Sequence, residues 1–371
     1  MSCTGLMIPV ASGFTEVGVG ISVFTLLSVI VWVRVVLFRN FWKVSISTSN
    51  FILPLIVCLT LMIVTAMNSR LISLIYAFYW IFTACFVVSI LDRNKGSVKF
   101  VVEAVIAVNF FGSVLVWITN RLNLSLFEDF IVHDGKGLLG YRLMGFTTEP
   151  SHAAFSSCLC FMLLAILRGK DKLLLRHYIY LFGGVFLFGS EFGFIFLILF
   201  ARLFYHQLLR HAKFGFLLAS VLLVLLSLSL GELLVRGSSL FLLQDNLANS
   251  AVDGSAMVRI MPLINYFSQV PDFSVFSILF GHGAGNAVFF VRGFFETTGA
   301  AQLGGTFYNY GLIGTFAFLI HLIYCIPNNY KLELIILSVA LLFNMTVSTQ
   351  MYWFLLTMMF ITKSIYNERI Y

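Results

Sequence analysis

Charge is scarce in this chain. Only 11% of its 371 residues are Asp, Glu, Lys or Arg, and only 16 are acidic. A soluble globular domain carries about 25% charged residues, so an ordinary water-facing surface is excluded. Cysteine is equally uninformative as chemistry. The six are Cys3, Cys58, Cys85, Cys158, Cys160 and Cys325, and all but Cys3 lie in or beside apolar segments. They show neither paired metal-ligand spacing nor an extracellular disulfide pattern. Cys158 and Cys160, two apart on a helix, face different sides, so buried thiols acting as small hydrophobes are expected. No low-complexity tract, soluble domain or clear internal repeat is present. No string of Asp, Glu or His crosses the apolar segments, which counts against a proton-driven transporter. The start, Met1 to Phe14, lacks the basic head of a cleavable signal, and the first apolar run ends in Arg34 and Arg39. That run is expected to stay as a span.

What is abundant is apolar surface: 60% of the residues are hydrophobic and 41 are phenylalanine. This defines an all-α polytopic membrane protein, a single membrane domain over 1–371. Windows of roughly 20 apolar residues, enough to cross about 30 Å of hydrocarbon, fall at 17–38, 50–68, 71–91, 98–119, 151–168, 177–190, 191–209, 214–232, 306–326, 332–347 and 350–363. That makes about eleven spans. The stretch 177–209 is too long for one helix and is divided at Gly189-Ser-Glu-Phe-Gly193, where a turn suits a glutamate better than the mid-membrane does.

The formal charge of +7 would suggest nucleic acid in a soluble domain. Here Lys and Arg gather in alternate connections: Arg34, Arg39 and Lys43; Arg93, Lys95 and Lys99; Arg168 to Arg176; Arg202 to Lys213; Lys331; Lys363 and Arg369. By the positive-inside rule those connections are cytoplasmic. The N-terminus is then outside, the C-terminus inside, and the long loops 120–150 and 233–305 are external. Loops of that length are functional or disordered. The second is rich in aromatics, so short helices lying against the membrane surface are expected within it.

The external side gathers Arg142, Glu149, His152, Glu191, Arg236, Arg259, His282 and Arg292. Glu149, partly desolvated at a helix start, suits a general base. Glu149-Pro150-Ser151 is equally an acidic first turn with a proline pre-set for helix entry. His152 could serve catalysis or satisfy a backbone carbonyl. Arginines without matching acidic runs suit a phosphate or pyrophosphate, each guanidinium offering a planar fork of donors. Loop ion pairs with Asp245, Asp253, Asp272 and Glu296 are the alternative. Gly281-His-Gly-Ala-Gly-Asn286 has the glycines of a phosphate cradle but no Lys-Ser/Thr after it, so a structural turn is the default, with His282 placed to point at a ligand. Within the spans, Glu103, Asn109, His321 and Asn344 are polar residues of the kind that join helices by hydrogen bonds.

These motifs occur in a particular order: Arg142-Leu-Met-Gly-Phe-Thr-Thr-Glu-Pro-Ser151, then Ser255-Ala-Met-Val-Arg259 in the long loop, then Leu279-Phe-Gly-His-Gly-Ala-Gly285, then Tyr310-Gly-Leu-Ile-Gly314 entering a span. The combination resembles the bacterial O-antigen polymerase (Wzy-type) family of the O-antigen polymerase and ligase superfamily, over roughly 140–320 by motif. The resemblance implies a GT-C-like, metal-independent, inverting glycosyltransferase of the bacterial inner membrane, with its active site facing the periplasm and no cofactor. Such an enzyme transfers a glycan from undecaprenyl pyrophosphate to the non-reducing end of a new lipid-linked repeat unit. Donor and acceptor are then both undecaprenyl-pyrophosphate-linked oligosaccharides, and a chain-length regulator is a candidate protein partner; nucleic acid is not one.

Carried onto this chain, the resemblance makes Glu149 the base and Arg259 the holder of the departing pyrophosphate. Arg142, His152, Arg236, His282 and Arg292 are substrate-binding candidates. The ligase branch typically has a His-Asn pair where this chain reads Gly304-Gly-Thr-Phe-Tyr308, which argues for polymerase over ligase. Phe267, Phe273, Phe289, Phe290, Phe294, Phe295 and Tyr308 could stack on sugar faces or pack the loop onto the bilayer. A transporter or flippase of lipid-linked sugars is the alternative from another class; it should show repeat symmetry and a charged path through the membrane interior, and the sequence has neither.

Overall fold

The computed structural model describes residues 16–17, 21–22, 95–122, 131–132, 142–143, 150–190, parts of 193–204, 263, 266–283, 303–344 and 350–370. The second, third and eighth predicted spans, all of the first except Val17, Ile21 and Ser22, and Glu149, Glu191, Arg236, Arg259, Phe289, Phe290, Arg292, Phe294 and Phe295 lie outside them. The described part is helical: α1 Lys95–Arg121, α2 Pro150–Arg168, α3 Leu175–Phe188, α4 Val275–Phe280, α5 Leu303–Cys325, α6 Lys331–Asn344 and α7 Gln350–Ile370. Three of these, α1, α2 and α5, are long and apolar enough to cross a membrane. The exceptions to helix are two antiparallel pairs of two-residue strands, β1 Glu16–Val17 with β2 Ile21–Ser22 and β3 Ile131–Val132 with β4 Arg142–Leu143. Pairs this short have no alternation from which a sequence could announce them.

α2 is the centre of the bundle. Pro150 occupies its first turn, where the missing N–H costs nothing, and from Ala153 to Leu167 every residue is buried. A helix apolar on all sides must be surrounded on all sides, and α1, α3, α6 and α7 all pack against it. α7 repeats the pattern, with Tyr352 to Thr362 buried throughout. α1 differs: Val98, Val102 and Ile106 face the core while Phe100, Phe111 and Leu115 stay exposed. An exposed apolar stripe on a span-length helix is the face a bilayer would cover.

The division of 177–209 falls where the sequence places it. α3 ends at Phe188, and Gly189 takes the left-handed conformation (φ 57°) with its N–H directed at the carbonyls of Val185 and Phe186. The chain then returns along α2, with Phe196 on Phe155 (5.4 Å between ring centroids) and Phe204 on Phe161 (5.4 Å). Cys158 and Cys160 are free and buried in α2, as expected of small hydrophobes.

Polar residues inside the helices join neighbours. Asn109 Nδ2 of α1 donates to Ser156 Oγ (3.0 Å) and lies 3.1 Å from Ser157 Oγ, both on α2. At one end of the bundle, termed the basic end, Glu103 of α1 receives three partners. Arg168 Nη2 from the last residue of α2 is at 2.5 Å, Arg176 Nη2 of α3 at 2.7 Å and His177 Nε2 of α3 at 3.0 Å. His177 Nδ1 accepts from the Leu174 N–H at 3.0 Å, which fixes the proton on Nε2, pointing at the carboxylate. One carboxylate thus ties three helix ends together. Lys363 of α7, at the same end, donates to the Tyr324 carbonyl in the last turn of α5 and lies 4.4 Å over the Tyr324 ring. A cation among the orphan carbonyls of a helix C-terminus is favourably placed.

Candidate functional site at the opposite end

The end away from Glu103 gathers the starts of α2 and α5, the end of α1 and the turn after α3. Here segments of the second long loop pack against α5. Residues 266–269 and a 3-10 turn at Val270–Asp272 lead into α4. Ser274 caps α4, its Oγ accepting from the Ser277 N–H at 3.1 Å. Within the described part of this loop, one of the expected short helices is present. The run from Phe276 to Phe280, too short to be a secure strand, is part of this helix.

Gly281 then turns the chain with φ 81°, and the loop lies against a break in α5. The break is at Gly311, whose φ of 65° and ψ of −171° no helix accommodates. Interrupting a helix frees carbonyl groups, and in an apolar setting each must find a donor. The glycine loop supplies them: His282 N–H donates to the Tyr308 carbonyl (2.8 Å) and Gly283 N–H to the Asn309 carbonyl (3.0 Å). The two backbones cross so closely that a Cβ on Gly311 would lie 2.5 Å from the Gly281 nitrogen, and one on Gly281 would overlap the Asn309 carbonyl. Both positions need positive φ and an absent side chain, which only glycine offers. The motifs 281–285 and 310–314, separate in the sequence, therefore form one unit at these two glycines.

The hydrogen bonds set His282 into an aromatic cluster. Its ring stacks on Tyr308 at 4.4 Å between centroids, 21° from parallel, and meets Phe273 edge-on at 4.6 Å. Tyr266 stacks on Phe307 at 5.5 Å and leans on Phe273 at 5.8 Å. Phe267, half-exposed, packs on Phe307 at 5.7 Å. Burial lowers the His282 pKa below its ordinary 6.5, because the charged ring is the form that loses hydration. At neutral pH it is a neutral imidazole, one nitrogen donating and the other accepting. Burial likewise raises the Tyr266 phenol. A partly accessible, neutral imidazole on a flat aromatic bed can accept a proton or orient a hydroxyl. The rings beside it offer apolar faces.

Of the ionisable residues singled out on the external side, three are described: His282, His152 and Arg142. His282 sits in this cluster. His152 is in the first turn of α2, half-buried, its carbonyl accepting from Ser156 Oγ at 2.8 Å. Arg142 is in β4, paired with Val132; its neighbour Leu143 and Ile131 of β3 are buried beside Val116 of α1, with Trp117 and Leu187 against them. All three stand at the end opposite the Glu103 cluster. Phe273 and Tyr308, named as sugar-stacking or packing residues, lie against each other (6.0 Å) and against His282, while Phe267 packs on Tyr266 and Phe307. Sequence reasoning missed the break at Gly311, although Gly304, Gly305, Gly311 and Gly314 recurring in one apolar segment is the signal for it. It also missed that Arg168, Arg176 and His177 are the partners of Glu103.

Among the described residues no group of three or more His, Cys, Asp or Glu is placed to hold a metal ion. No protein-family model, curated protein or solved structure matches the chain.

Proposed function

We propose that the chain is a polytopic glycosyltransferase that polymerises lipid-linked repeat units, with its working site at the end bearing His282. The docking of Gly281–Gly283 on the broken start of α5 carries this reading. The two glycine motifs that the resemblance to the Wzy-type polymerases rests on form a single hydrogen-bonded unit, and that unit presents an imidazole and aromatic faces. By helix direction the start of α2, where Pro150 follows Glu149, and the hairpin carrying Arg142 belong to that same end of the bundle.

In the proposed reaction Glu149 takes the proton of the acceptor hydroxyl. The hydroxyl oxygen then attacks the anomeric carbon of the donor from the face opposite the pyrophosphate. The anomeric C–O bond breaks with inversion, and undecaprenyl pyrophosphate leaves with its charge matched by Arg259, helped by Arg142, Arg236 and Arg292. His282 and Tyr308 orient the sugar. The chemistry needs no metal in this scheme. The proposal extends to the full architecture: about eleven spans, a GT-C-like arrangement, an inner-membrane location with the N-terminus and active site periplasmic and the C-terminus cytoplasmic, and external loops at 120–150 and 233–305.

An O-antigen ligase uses the same chemistry with a different acceptor. A transporter of lipid-linked sugars gains one specific point from the broken α5, because discontinuous helices often line transport sites. The test is turnover by detergent-purified protein given a lipid-pyrophosphate-linked repeat unit, with and without chelator. A ladder of products that survives chelation is expected. A single transfer product points to ligase, and no product from folded protein across several repeat units points to transport.

A further inference from the structure

At the basic end, the cluster around Glu103 closes one end of an open groove of about 710 Å³. Its charged end is formed by Glu103, Arg168 and Arg176; the rest is apolar, running along α1 past Ala107 and Phe111 to Leu115, with Tyr180 of α3 alongside. From Glu103 to Leu115, α1 rises about 18 Å, close to the roughly 15 Å of one leaflet of a 30 Å hydrocarbon core. The groove is therefore one leaflet long, polar at the membrane surface and apolar towards the middle.

The charges at its end do not cancel. Two guanidinium groups face one carboxylate, and the turn 170–172 between them adds two lysines against one aspartate. Arg176 is 52% exposed; it commits Nη2 to Glu103 and its Nε lies 3.5 Å from His177 Nε2, which leaves Nη1 for another acceptor. Arg168 Nε is buried and has no hydrogen-bond partner among the described residues, a costly state for a charged donor. Guanidinium forks match phosphate oxygens in pairs. We propose that this groove binds one anionic phospholipid from the leaflet facing the basic end, its phosphate on Arg176 and Arg168 and an acyl chain along Ala107 and Phe111 of α1. The occupant is a lipid and not free phosphate, because most of the groove offers nothing to a polar ion.

The site is independent of the proposed glycosyl transfer, which lies at the other end. Native mass spectrometry of the intact protein released from detergent tests it, with phosphatidylglycerol and phosphatidylcholine of matched chains as probes. One phosphatidylglycerol retained per chain, with phosphatidylcholine about tenfold weaker, is expected, because phosphatidylcholine offers the same phosphate but its trimethylammonium group cancels the net charge that the excess guanidinium attracts. Arg176→Gln, which keeps the Arg168–Glu103 pair, should weaken phosphatidylglycerol by about tenfold and erase the preference. Ala107→Phe, which fills the groove without changing charge, should weaken both lipids. Equal retention of the two lipids by the unaltered protein overturns the proposal, as does displacement of phosphatidylglycerol by excess inorganic phosphate. Unchanged binding in Arg176→Gln also overturns it, and that variant settles the matter if Ala107→Phe fails to fold.

Discussion

The two ends of the bundle are held by different forces. At the basic end one carboxylate, Glu103, draws Arg168, Arg176 and His177 from two other helices, so the joint is made of side chains and charge. At the opposite end the joint is backbone. The amides of His282 and Gly283 fill the carbonyls that the break at Gly311 leaves open, and the two chains touch where neither has a side chain. A charged joint tolerates adjustment, because long side chains can re-form contacts through water. A glycine crossing does not, because any added atom collides with main chain. The rigid joint is the one that carries an imidazole and aromatic faces, which suits a site that must hold its groups in a fixed arrangement.

The largest effect should come from breaking the rigid joint. Gly311→Ala forces a side chain into positive φ and against the Gly281 amide, and should cost about 3 kcal/mol or prevent folding. A fall in melting temperature in detergent would register it; an unchanged melting temperature would mean the crossing is looser than described. Glu103→Gln comes next. It leaves two guanidinium groups without their carboxylate in a partly buried place and should cost about 1–2 kcal/mol, with high salt narrowing the gap from the unaltered protein. Asn109→Ala removes a contact between two helices in an apolar setting and should cost about 0.6 kcal/mol, the usual size of such bonds in membranes, read in the same melting experiment.

The smallest effect is on pH dependence. The folded pKa of His282 is depressed below 6.5 by burial, so below that pH the unfolded chain takes up a proton that the folded chain resists. Stability from this site is intact above 6.5 and falls as the pH drops through that value towards the lower folded one. His282→Phe keeps the stack on Tyr308 and should flatten this part of the curve of melting temperature against pH. A slope that persists in the variant assigns the titration to another group.

Much of the described part could be foreseen because apolar length is a direct physical requirement. The helix bounds of α1, α2 and α6 follow the sequence windows closely, and the turn at Gly189 was legible from a glutamate that would be costly mid-membrane. Asn109 was legible as a helix joiner because a lone amide in an apolar span has few other uses. The break in α5 was signalled only by its glycines; what fills it, a loop earlier in the chain that supplies two amides, was not legible. The pairing of Glu103 was hidden for a similar reason. Arg168 and Arg176 look like ordinary positive-inside residues until α2 and α3 bring them to one carboxylate. The site was legible only where its signal is local: His282 and the glycines beside it announce themselves, while Tyr308 and Phe273 become its neighbours only through the fold.

The contrast between the ends is tested most directly by one pair of variants, each turning a carboxylate into an amide. With a lipid-pyrophosphate-linked repeat unit as substrate and turnover expressed per folded molecule, Glu149→Gln should lose at least about a hundredfold, the usual minimum for a general base. Glu103→Gln should turn over like the unaltered protein despite its lower melting temperature. Retained turnover in Glu149→Gln together with lost turnover in Glu103→Gln would place the chemistry at the basic end and contradict the account.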